Sequence, residues 1–224
     1  MSSDITAIFN PEQAAEVTTK NITSITIKPV AVPIPFYCSS TISIMGELET
    51  VLSGPAETVA PRLLGCHIIR ELNGQRLVGR IVETEAYSQD DVASHSYRGE
   101  TPRTKVMFGP PGFLYVYFTY GMHYCCNVVT GMAGHGSAVL LRAIEPITGD
   151  FGEAKTNGPA KLCKALGIDK AWNGHDLRQP PLQLLIQPPV PQEDIMQSTR
   201  VGISRGQDVP WRFYLKGNPY VSKM

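Results

Sequence analysis

Short apolar blocks, several of them alternating with polar residues, run along most of this chain and are separated by turn residues. Residues 67–72 and 76–82 flank Asn73-Gly74, and Asn-Gly between two apolar runs predicts a tight β-hairpin. The second run continues through residue 87. Residues 88–108 are polar and read as a long loop, closed by the turn Gly109-Pro-Pro-Gly112. An aromatic-rich strand is predicted over 113–120, followed by strands over 124–129 and 138–144 with a glycine-rich turn at 131–136 between them. Late strands are predicted at 182–188 and 212–215. Two helices complete the pattern. One starts at Ser53-Gly54-Pro55, with Ser53 as its cap, and runs to Leu64 before Gly65, although Pro61 kinks it or delays its start. The other opens at Gly158-Pro159 and runs through Leu166. With no internal repeat and no βαβ rhythm, the pattern predicts an α+β fold: a single domain with a curved, mainly antiparallel β-sheet and surrounding helices.

Composition sets the outer bounds. The 224 residues are 42% hydrophobic and 18% charged, enough apolar material for a substantial core. No apolar run approaches the roughly 20 residues that span a bilayer, and the acidic first residues do not read as a secretory signal. Residues 1–45 are set apart as an N-terminal arm, either a short strand or unfolded, preceding a domain over 46–224. The five cysteines, Cys38, Cys66, Cys125, Cys126 and Cys163, include no CxxC pair; they read as reduced thiols of an intracellular protein. The net charge is zero, but residues 1–60 hold two bases and six acids while the remainder holds eighteen bases and fourteen acids. The larger part is therefore mildly basic, which permits phosphate binding without demanding it.

Candidate chemistry concentrates between residues 79 and 146. Glu83 and Glu85 lie two apart on a predicted strand and so face one side, with Tyr87 in line. Such a pair is either an exposed edge of charge or a general base and a cation-stabilising carboxylate. Tyr115 and Tyr117 share a strand face, as core or as pocket wall. Tyr120, before Gly121, is placed to protrude, and a protruding ring can wedge into a base stack. His95 lies in the long loop near Arg98, Arg103 and Lys105, a set suited to phosphate or substrate contact. His123, Cys125 and Cys126 lack a second ligand cluster with zinc spacing, and no Walker, GxGxxG or GxSxG motif is present.

In order, Gly79-Arg-Ile-Val-Glu-Thr-Glu-Ala-Tyr87, His95-Ser, Thr101-Pro-Arg103, Met107-Phe-Gly-Pro-Pro-Gly112, Leu114-Tyr-Val-Tyr117, Tyr120-Gly-Met122, Asn127, Leu140-Leu-Arg-Ala-Ile-Glu-Pro146 and Asn157-Gly-Pro-Ala-Lys-Leu162 resemble the alkyladenine (3-methyladenine, alkylpurine) DNA glycosylases. The resemblance runs from about Leu63 to the end. It implies that Glu85 activates water and that Arg142 helps hold that water. It implies a base pocket walled by Tyr87 and His95, closed by Tyr117, with Asn127 opposing the 2-amino group of undamaged guanine. Tyr120 would be the ring inserted into the duplex, with Met122 beside it, and Arg98, Arg103 and Lys105 would meet the DNA backbone. The expected activity is excision of alkylated or deaminated purines (3-methyladenine, 7-methylguanine, hypoxanthine, ethenoadenine) flipped from double-stranded DNA, the base-excision repair of alkylation damage. No lysine stands among the matched pocket positions, so a monofunctional hydrolase without lyase chemistry is expected. No cofactor, no membrane partner and a monomeric state are expected, in the nucleus of a eukaryote or the cytoplasm (nucleoid) of a bacterium.

The chain departs from the family pattern in a short segment at 147–156, expected to weaken affinity for undamaged DNA, and in Pro61 within the first helix. Two rival readings use the same residues. One is a non-catalytic DNA-lesion-binding module. The other is a carbohydrate hydrolase built on Glu83 and Glu85, disfavoured because neighbours on one strand face cannot flank a sugar from both sides.

Overall fold

A computed structural model describes residues 48–222; the expectations for residues 1–45, and Cys38, lie outside these. Among the described residues the elements are α1 (Ala56–Arg62), β1 (His67–Leu72), β2 (Gln75–Tyr87), β3 (Leu114–Thr119), β4 (His123–Val129), β5 (Ala138–Thr148), α2 (Pro159–Ala165), β6 (Leu182–Leu185), β7 (Ile195–Ser198) and β8 (Arg212–Leu215). A helical segment at 48–52 precedes α1. The strands form one curled antiparallel sheet in the order β3-β4-β5-β2-β1-β6, with β8 pairing β2 and β7 pairing β8. The α+β expectation is met.

The hairpin at Asn73-Gly74 is present, with Leu72 opposite Gln75 and positive φ at both turn residues (51° and 75°). Two expectations need correction. Ser53 does not cap α1: its hydroxyl donates to Thr50 O, and the helix begins after Pro55, whose extended ψ of 146° turns the chain into it. Pro61 lies inside that helix, which is seven residues long and ends at Arg62. The strand expected over 182–188 stops at Leu185, and β7 was not foreseen at all.

Strand β2 organises the molecule. It is 13 residues long, pairs with β1 through its first half, with β8 at Glu83–Glu85, and with β5 along most of its length. Its register against β5 shifts on either side of Glu83. Ile81 and Val82, though consecutive, are both buried in the main core. The alternation of faces therefore changes phase there, as a β-bulge requires. Beyond the bulge Val82 and Ala86 join the main core, and the Thr84 hydroxyl donates to Ala60 O in α1. Glu83, Glu85 and Tyr87 are thereby delivered to the opposite face. The other central strands alternate in the same way: Leu114, Val116, Cys126, Val128, Val139 and Leu141 fill the main core, while Tyr115, Val129 and Ala138 form a second cluster with Met107 and Phe108. This second cluster floors the site.

Gly79 marks a close approach between β2 and β5. A Cβ there would lie 2.6 Å from Ile144 Cδ1 and 3.2 Å from Ile144 Cβ. Gly79→Ala is expected to destabilise the protein by about 1–3 kcal/mol through overpacking; a urea unfolding midpoint equal to that of the parent would refute this.

Candidate active site

Beyond the β2 bulge, β3, β4 and β5 present Tyr115, Tyr117, Cys125, Asn127, Leu140 and Arg142 to a common cavity of about 460 Å³. The loop after β2 supplies Val92, Ala93 and His95, and the irregular segment at 201–205 closes the other side. Tyr87 and Tyr120 also line it. The size and the mixture of aromatic and polar walls suit a small planar ligand.

The two carboxylates are not an exposed edge of charge: both are fully buried. They differ in their partners. Glu83 Oε1 accepts from Arg142 Nε (2.8 Å), Arg212 Nε (2.7 Å) and Ser222 Oγ (2.8 Å), and its Oε2 accepts from Ser222 N (2.7 Å). Burial alone would raise this carboxyl, but Arg142 and the donated hydrogen bonds outweigh it and hold Glu83 below the ordinary carboxylate value. A carboxylate offers roughly four acceptor positions, and Glu83 meets four donors, three of them crowded on Oε1. Glu85 has three partners: Val201 N (2.7 Å) and Arg142 Nη1 (3.1 Å) on Oε1, and the Tyr87 hydroxyl (2.9 Å) on Oε2. One acceptor position remains. Glu85 itself does not form the cavity surface, but Tyr87, Arg142 and Val201, which all bond to it, do. Burial works against the charge on Arg142, yet Glu85 and Glu83 hold it firmly protonated. Burial and the adjacent Glu85 likewise push the Tyr87 hydroxyl upward, so it remains a donor.

His95 stands edge-on to Tyr117 with ring centroids 4.6 Å apart, and its Nδ1 lies 3.0 Å from the Tyr115 hydroxyl. His95 keeps an exposed edge, but desolvation of its ring against the pocket wall, and then the charge of Arg103, depress its imidazole to about 4. The neutral form is therefore favoured in the fold. The sign follows: any stability this group contributes is present above the unfolded value near 6.5 and is lost as pH falls through about 4. A His95 imidazole followed by NMR is expected to titrate with its midpoint near 4; a midpoint near 6.5 would contradict the environment described.

Asn127, cross-strand from Tyr115, donates from Nδ2 to Tyr115 O (3.2 Å). Its amide nitrogen is thereby committed to the strand pair. Arg103 lies over the Tyr117 ring at 5.9 Å, and Arg98, Arg103 and Lys105 are all exposed. Tyr120 is 82% exposed and Met122 70%. Together they form the tip of the β3–β4 hairpin. Among the described residues no group of three or more His, Cys, Asp or Glu is placed to hold a metal ion, and the four described cysteines are free and buried.

Residues 50–219 match the family described as "Methylpurine-DNA glycosylase (MPG)". The chain belongs to the methylpurine-DNA glycosylase family. Similar proteins named "Putative 3-methyladenine DNA glycosylase" occur in Carboxydothermus hydrogenoformans (54% identical over 176 residues, 74% of this chain and 92% of that protein) and Methanoculleus marisnigri (51% over 179 residues, 74% and 93%). Another, in Francisella tularensis, is 43% identical over 192 residues, covering 80% of this chain and all of its own.

Within this glycosylase fold, sequence reasoning missed the segment that closes the pocket. Val201 supplies a backbone donor to Glu85, and a main-chain group leaves no signature in residue identity. Arg212 and Ser222, which hold Glu83, were also missed, being 129 and 139 residues away along the chain. Arg205 lines the cavity mouth and is exposed. A signal existed: Arg200-Val-Gly-Ile-Ser-Arg205 carries two cations in an otherwise loop-like stretch.

Proposed function

We propose that this protein is a monofunctional DNA glycosylase that flips alkylated or deaminated purines out of duplex DNA and hydrolyses the N-glycosidic bond. The observation that carries the reading is a buried carboxylate, Glu85, held by three donors that themselves line an aromatic pocket, with an exposed ring, Tyr120, on the pocket's rim. A base inside a duplex is out of reach, so it must leave the stack at a cost of a few kcal/mol. Tyr120, wedged into the gap, offsets part of that cost. The flipped purine is gripped between Tyr87, His95 and Tyr117, and Asn127 opposes the 2-amino group of an intact guanine.

As the bond from sugar to base breaks, its electron pair leaves with the base and positive charge grows on the sugar. Glu85 stabilises that charge and takes a proton from the water that attacks the anomeric carbon, with Arg142 holding the water against it. A purine made cationic by alkylation departs neutral, so part of the selectivity lies in the leaving group. Among the described residues, those that line the cavity include no lysine, which favours hydrolysis over Schiff-base lyase chemistry. Arg98, Arg103 and Lys105 are assigned to backbone phosphates, the domain over 46–224 acts as a monomer, and residues 1–45 are dispensable for the chemistry.

The test is a set of duplexes each carrying one 3-methyladenine, 7-methylguanine, hypoxanthine or ethenoadenine, assayed for base release and abasic sites. Release of at least one of these bases, with no adduct trapped by borohydride, is expected. Tight lesion binding without release would favour the non-catalytic module, and an adduct would refute the monofunctional assignment.

A further inference from the structure

Val201 N donates to Glu85 from a segment with no regular secondary structure between Thr199 and Trp211, so something other than a strand ladder must fix it. The preceding residue does. The Arg200 side chain is completely buried. Its two terminal nitrogens grip the two carboxylate oxygens of Asp91, the Nη2–Oδ1 bond measuring 3.0 Å. Nη1 also donates to Ala86 O (3.0 Å), and Nη2 to Gly206 O (3.3 Å). The guanidinium carbon lies 4.8 Å from the centroid of the Tyr87 ring and 5.4 Å from that of Trp211. Asp91 in turn accepts from Ala93 N (3.0 Å), which fixes the start of the loop that carries His95.

One side chain thus ties together three segments that all contribute to the pocket: the end of β2 beside Glu85 and Tyr87, the loop at 91–95, and the segment at 201–206. We propose that Arg200 is a positioning residue, a strut that holds the Val201 N–H on Glu85 and thereby fixes the orientation of that carboxylate. The inference rests on Glu85 being the water-activating base.

The chemistry explains why an arginine is needed. A planar fork can bond a carboxylate with two parallel contacts while the same terminal nitrogens also reach carbonyls and its faces meet aromatic rings. In Arg200 the two terminal nitrogens do this, and the buried Nε has no partner among the described residues. A lysine offers a point charge and cannot make this set. Buried bidentate pairs of this kind add geometric specificity even where their net stabilisation is small. Here the geometry specified is the approach of a backbone donor to the reacting carboxylate. Without Val201 N–H, Glu85 would keep Arg142 and Tyr87 as its partners among the described residues, and both of those side chains belong to the pocket that must accommodate substrate.

The test uses the full-length protein and Arg200→Lys. The Val201 amide proton, followed by NMR, is expected to move upfield and lose its protection from solvent exchange. Single-turnover base release should fall by about 100-fold, while affinity for a duplex carrying a tetrahydrofuran abasic analogue stays within about threefold, because that ligand uses the wedge and not the carboxylate. An unchanged Val201 amide, or a release rate within threefold of the parent, would overturn the proposal. If Arg200→Lys does not fold, replacing Val201 with its α-hydroxy acid analogue removes the N–H and leaves every side chain in place. A loss of tenfold or more in release then supports the strut, and an unaltered rate refutes it. Failure of the Glu85 reading is separable. It would appear as full activity in Glu85→Gln, whatever the Val201 amide does.

Discussion

Glu85→Gln is expected to lose base release by about 100–10,000-fold while it folds with near-parental stability and still binds lesion duplexes. Glu83→Gln is expected to do the reverse: its first defect is a loss of roughly 3–5 kcal/mol in unfolding free energy. The difference follows from the partners. In Glu85→Gln the amide oxygen can keep the bonds from Val201 N and Arg142, and the Tyr87 hydroxyl can turn to accept from the new amide nitrogen. In Glu83→Gln there is no such exchange. Oε1 serves three donors and Oε2 a backbone N–H, so either amide orientation sets a donor against a donor. Arg142 and Arg212, each nearly sealed from solvent, then lose the charge that lies between them. The acid limb of stability gives a second check. Glu83 is held below its ordinary value of 4.5, so its contribution is present above that pH and fades as pH falls through the folded value. The stability gap between parent and Glu83→Gln should therefore narrow in acid. Urea unfolding together with single-turnover release separates the two carboxylates; a stable Glu83→Gln beside an unfolded Glu85→Gln would reverse the assignment.

What the sequence made legible was local or periodic. The hairpin at Asn73-Gly74 follows from two residues whose chemistry selects one turn, and the curled antiparallel sheet follows from short apolar blocks between turn residues. Glu83 and Glu85 were placed on one face by period two, and that was right, although the bulge at Val82 shows that the same count carried back to Ile81 would have failed. What divides the pair, four donors against three, comes from residues far along the chain and from a backbone N–H, and neither leaves a pattern in the sequence. The pairing of Arg200 with Asp91, 109 positions apart, leaves no pattern for the same reason, even though the cations of 200–205 stand out. Ser53 failed as a cap because Pro55, with φ already near the helical value and no N–H to satisfy, could start the helix without one.

The hairpin tip carries the second large effect. The β3–β4 turn is closed by Met122 N donating to Thr119 O (3.3 Å), with positive φ at Tyr120 (49°) and Gly121 (66°). The same left-handed pair occurs at Asn73-Gly74, where Asn is a residue that tolerates it. Tyr120 is not such a residue. A bulky side chain in this region costs about 1–2 kcal/mol, and a ring that is 82% exposed recovers little of it by burial. The fold therefore gains nothing from a tyrosine here, and the strain lies where the proposed wedge must project. Tyr120→Asn is expected to raise the unfolding free energy by roughly 0.5–1 kcal/mol while affinity for a lesion in duplex DNA falls by tenfold or more. The same variant should still release the base from a single-stranded oligonucleotide at nearly the parental rate, because no stack has to be held open there. An equal loss on both substrates would place Tyr120 in the base pocket instead of the duplex, and parental affinity for the duplex lesion would remove the wedge from the mechanism. Stability and duplex binding moving in opposite directions is the outcome that neither a core aromatic nor an idle surface residue would produce.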